Sequence, residues 1–140
     1  MKANELMIGD WVECTYWTPS KQLKVAEIRR IVDDEIKIGV YCDDLVLIFR
    51  QPEVKPIPLT PEILEKNGFE KQWQDNYEYL DDDENLNVTF HPKSSNYTNG
   101  AYDYIDIEKG CLTINEMPIT FVHELQHVLI LCESEKEIIL

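Results

Sequence analysis

His123-Glu124-Leu125-Gln126-His127 is the one string in this chain that spells out a reaction mechanism. Residues four apart share a helix face, so two imidazoles could hold one zinc ion while Glu124 acts as general base on a bound water. The surroundings work against it. A third protein ligand is needed, and only 13 residues follow His127 (140 − 127 = 13). Val128-Leu129-Ile130-Leu131-Cys132 stands where the longer zinc-protease motifs place a glycine and a third histidine. Glu133, Glu135 and Glu137 follow so closely that the helix would have to stop and fold back at once. Upstream, His91 or one of the acids could serve, but no spacing marks it. The plainer reading is an amphipathic helix that packs through Phe121, Val122, Leu125, Val128, Leu129 and Cys132. Thr120 would be its cap, and His123, Glu124, Gln126 and His127 would form its outer face. We prefer the plainer reading, with no catalytic residue, metal or cofactor. A minimal zinc-dependent hydrolase, with His123 and His127 as ligands and Glu124 as base, is the alternative.

Other candidate chemistry is thinner. Asp81, Asp83 and Asn85 have the spacing that opens a calcium loop, yet Leu86 replaces the turn glycine and Pro92 the bidentate glutamate, so a solvated turn is expected. Trp11, Tyr16 and Trp17 cluster in a strand-rich segment and could form a partner-binding surface of the kind small barrels use for extended peptides. Their competing role is core packing. Cys14, Cys42, Cys111 and Cys132 contain no C-x-x-C pair, which excludes a zinc knuckle or thioredoxin-type motif and suggests thiols in a reducing compartment. Five scattered glycines make no phosphate loop.

The elements that would position these residues fall into two sets. Trp11 to Trp17, Glu35 to Val40 and Leu45 to Phe49 read as strands, the last a continuous apolar run expected to be covered on both faces. Leu23 to Val32 fits a strand or, through Leu23, Ile28, Ile31 and Val32, a helix; Asp33-Asp34 reads as a turn. Three prolines in Pro52 to Pro58 predict an extended connector. Thr60-Pro61-Glu62 opens a short helix and Asn67-Gly68 closes it. Strands are then expected over 69–73, 77–80, 86–90, 102–107 and 111–114, with turns at 81–85, 93–96 and 108–110. The closing helix follows, and Glu137 to Leu140 could add a last strand. The fold class is therefore α+β: a small N-terminal SH3-like β-barrel lobe over 1–50, a proline-rich connector over 51–59 and an α+β lobe over 60–140, forming one folding unit. The second lobe combines antiparallel strands with a short helix and a C-terminal helix.

Charge limits the partners. The 140 residues carry 27 acids against 13 bases, a net charge of −14 that repels nucleic acid and anionic membrane. A protein partner of basic character fits, and an acidic DNA-mimicking decoy is a further alternative. An apolar fraction of 44% is enough for a folded core, and no apolar run reaches the ~20 residues of a membrane span. The first residues do not read as a signal peptide, so the expected location is the cytoplasm.

Three stretches together carry a resemblance: Ala3-Asn4-Glu5-Leu6-Met7-Ile8-Gly9-Asp10-Trp11-Val12, Pro56-Ile57-Pro58-Leu59-Thr60-Pro61-Glu62-Ile63-Leu64-Glu65-Lys66-Asn67-Gly68-Phe69, and Val122-His123-Glu124-Leu125-Gln126. The chain resembles an uncharacterised family of small proteins from gut Bacteroidetes and their phages. The resemblance implies mobile-element origin and brings no activity or cofactor with it. In that family the last stretch resembles Val-His-x-Leu-Gln, without the second histidine, which argues against His127 as a ligand. The expected function is a non-catalytic, phage- or mobile-element-associated accessory or protein-interaction module.

Overall fold

Alternation begins at Val12 and Cys14, which are buried while Trp11 and Glu13 are not, and this builds β1 (Trp11–Cys14). The structure, a computed structural model, describes residues 5–30, 36–94 and 101–140. Ile31 and Val32, the turn at Asp33-Asp34, Glu35, and Ser95-Asn96 of the expected 93–96 turn lie outside the described residues. The chain divides into two units, residues 1–57 and 58–140.

In the first unit, β1 is followed by β2 (Lys21–Arg30), β3 (Ile36–Cys42), β4 (Leu45–Arg50), a 3-10 turn (Gln51–Glu53) and β5 (Val54–Pro56). All pairings are antiparallel, in the order β4-β3-β2-β1-β5. The long β2 serves two neighbours: Lys21 to Lys24 face β1, and Val25 onward faces β3. A register shift between Val25 and Glu27 bends it at the changeover. The helical alternative is thus overturned over Leu23 to Arg30. Partners on both sides outweigh a weak 3.6-residue period. Leu6, Val12, Cys14, Val25, Ile38, Val40, Phe49 and Val54 form the core of this unit.

One expectation needs correction. The sheet is open, with β4 and β5 as its ends, so it is not a closed barrel. Closure would need main-chain pairing between them, and β5 is three residues long and ends in Pro56, which has no N–H to donate. The proline-rich stretch also does more than connect. Its prolines are tolerated because a 3-10 turn and an edge strand can spare those donors.

The second unit is a meander, β6 (Glu70–Lys71), β7 (Tyr77–Asp81), β8 (Leu86–His91), β9 (Tyr104–Lys109) and β10 (Leu112–Pro118), in the order β10-β9-β8-β7-β6. Leu86, Val88 and Phe90 of β8 are buried, as are Ile105 and Ile107 opposite Phe90 and Val88 on β9. The other face carries Asn87, Thr89 and His91. Before the sheet comes α1 (Pro61–Lys66), where Ile63 N donates to Thr60 Oγ1 and Pro61 occupies the first turn. Gly68, at φ +83, turns the chain out of the helix, and Phe69 N returns to Leu64 O. After the sheet comes α2 (Val122–Leu131), whose Val122, Leu125, Val128 and Leu129 are buried together with Cys132. Residues 134–140 form no strand. Among the described residues no helix is long and apolar enough to cross a membrane.

Candidate functional site

The start of α2 is closed by Glu124. Its Oε2 accepts from Thr120 N at 2.7 Å and Phe121 N at 3.0 Å, satisfying donors that a helix leaves unpaired. Thr120 is therefore not the cap, and Phe121 precedes the first helical residue. One carboxylate oxygen of Glu124, Oε2, is thereby committed to the chain's own backbone.

His123 is not on the outer face either; it is 3% exposed. At about 100° per residue it points away from the Leu125–Cys132 stripe. Its ring stacks on Phe121 at 5.8 Å and 10° between planes. His127 is half-buried, its ring 5.6 Å from that of His123 and nearly edge-on at 69°. The two imidazoles are thus neighbours, as the i,i+4 spacing requires. Among the described residues no group of three His, Cys, Asp or Glu side chains is placed to hold a metal.

His91 has a different partner. Its Nε2 lies 2.9 Å from Asp106 Oδ2, and its ring stacks on Tyr104 at 4.5 Å. The other oxygen of Asp106 accepts from Glu116 N at 2.8 Å, inside the register shift of β10 where Glu116 takes φ 53. Asp106 of β9 thus sits beside His91 of β8 and holds the irregular part of β10. Sequence reasoning missed this pair, because which face each residue takes depends on the β8–β9 register. The acidic turn is likewise structural: Asp81 Oδ1 accepts from Glu84 N at 3.1 Å, and Glu84 Oε1 from Glu135 N at 2.7 Å.

The aromatic group of the first unit separates into two parts. Tyr16 and Trp17 meet edge to face at 5.5 Å, and both contact Phe49, at 5.6 and 5.4 Å. Trp17 packs against the core, whereas Tyr16 is 67% exposed. Lys21 Nζ sits 4.8 Å over the Trp17 ring. Trp11 lies on the face of β1 opposite Val12 and Cys14, with Lys24 Nζ 5.2 Å above it. Phe49 was hidden in an apolar run and could be found only through the β3–β4 pairing. The cysteines form no disulfide, and burial, with the charges of Cys42, Glu13 and Glu53, pushes the Cys14 thiol up to about 11.

Comparison with known proteins gives no matching family model, no matching curated protein and no matching solved structure.

Proposed function

We propose that this protein is a non-catalytic interaction module that binds a protein partner of basic character through the exposed Tyr16 and the half-buried Trp17, which rest on the buried Phe49. The observation that carries this reading is Tyr16. A large ring exposed beside two further aromatics, on a bend after β1, offers rigid amphipathic contact area at low entropic cost. An SH3-like arrangement of the first unit, in open form, is supported by its strand order. The strand after the 3-10 turn returns to pair with β1, and β2 bends between two neighbours. The employment of Glu124 as a backbone acceptor favours this reading over a zinc hydrolase. Acids such as Asp81, Glu84 and Asp106 accept from backbone N–H groups in turns and a bulge, a structural use that favours this reading over a DNA-mimicking decoy. The resemblance to a phage-associated family supports an accessory role, and free thiols fit a cytoplasmic setting.

The test is cross-linked capture with the full chain, wild type beside Tyr16→Ala. A stoichiometric partner that the variant loses, with unchanged thermal unfolding, supports the reading. A partner indifferent to Tyr16, or none, overturns it. So would stoichiometric zinc in protein purified without added metal and lost on His123→Ala, which would establish the metal site instead.

A further inference from the structure

The two sheets have four edges, and three are defended. β5 is three residues long and carries Pro56; β6 has only two residues; β10 is broken by its register shift at 115–116 and ends in Pro118. Short edges, prolines and bulges are the usual means of preventing sheets from joining. β4 has none of them. Its Leu45-Val46-Leu47-Ile48-Phe49 is a run without charge or proline, paired with β3 on one side and, among the described residues, with no strand on the other. The run was expected to be covered on both faces. Instead only Phe49 is buried and Leu47 half-buried, while Leu45, Val46 and Ile48 are 66%, 44% and 41% exposed.

We infer that the open edge of β4 pairs, antiparallel, with β4 of a second copy of this chain. A two-fold axis perpendicular to the sheet keeps each copy's inner and outer faces aligned, so only residues of equal alternation can stand opposite each other. With Leu47 on the axis, Val46 faces Ile48 of the second copy, extending the exposed outer surface formed by Tyr41, Val46 and Ile48. The same register brings Asp44, in the turn just before the strand, beside Arg50 at the strand's far end in the second copy, twice over. Both are exposed. This charge match selects the occupant: antiparallel self-pairing places opposite charges together, whereas parallel pairing would stack like on like. Each copy has one such edge, so pairing closes the assembly at two. The inference uses neither Tyr16 nor Trp17, and it stands or falls apart from the partner-binding surface.

The experiment is sedimentation equilibrium of the full chain across the micromolar range, with circular dichroism to confirm that each variant is folded. A species of twice the 16.5 kDa chain mass is expected. Ile48→Lys should raise its dissociation constant about ten-fold or more. Asp44→Arg and Arg50→Asp should each weaken it, and the double variant, with the charges exchanged, should restore it. A chain that stays monomeric, one that grows into open-ended polymers, or a dimer indifferent to Ile48→Lys overturns the inference. So does failure of the charge exchange to restore pairing.

Discussion

Asn67 and Ile139 hold each other as two paired strand residues would: Asn67 Oδ1 accepts from Ile139 N at 2.8 Å, and Asn67 Nδ2 donates to Ile139 O at 2.7 Å. The same amide nitrogen donates to Ile63 O at 2.8 Å, in the last turn of α1. One buried side chain thus closes a helix and fastens the end of the chain, with Lys66 Nζ donating to Leu140 O beside it. The tail needs no sheet partner because this amide mimics one, and Ile138 is buried next to it. Asn67→Ala removes three hydrogen bonds and should cost about 2–3 kcal/mol at about 1 kcal/mol each, read from urea unfolding. A loss below about 0.5 kcal/mol would mean that the clamp is not a stabilising element.

Glu124 gives a second prediction. As a helix-start acceptor it should be worth about 1 kcal/mol, lost in Glu124→Ala. Glu124→Gln keeps an acceptor oxygen and should retain most of that stability. Urea midpoints of the two variants check the order.

The two histidines of α2 should differ sharply. His123→Ala empties a buried position against Phe121 and is expected to cost about 2–3 kcal/mol. His127→Ala trims a half-buried ring and should cost less than about 1 kcal/mol. Equal effects would contradict the burial difference described above.

The thiols provide a pH test. Cys14, with its raised thiol pKa, should react last with a thiol reagent, and the exposed Cys111 first. In the unfolded chain Cys14 ionises near its ordinary 9.0, before it can in the folded protein. Its contribution to stability is therefore complete below about pH 9 and is lost as pH rises towards 11. The thermal midpoint should fall across that window, and less steeply in Cys14→Val.

Much of the scaffold was written in local sequence. Thr60, Pro61 and Gly68 marked both ends of α1, and alternation at Leu86, Val88 and Phe90 marked a strand with one wet face. The apolar stripe of α2 was equally plain. Such signals are legible because they follow from the backbone geometry of a few neighbouring residues. The acidic turn also stood out, although not the use of Glu84 to hold Glu135.

Composition and spacing determined, on their own, an acidic α+β chain with antiparallel strands, a short capped helix and a closing amphipathic helix. Tertiary structure alone decided that β4 is an edge, that the proline-rich stretch supplies β5, that His91 meets Asp106 and that Glu124 turns back on its own helix. These outcomes depend on which distant segments pair and in what register. Identical runs of residues serve equally well at a sheet's centre or its rim, so the order of the strands, fixed by long-range hydrogen bonding and shared burial, had to make the choice.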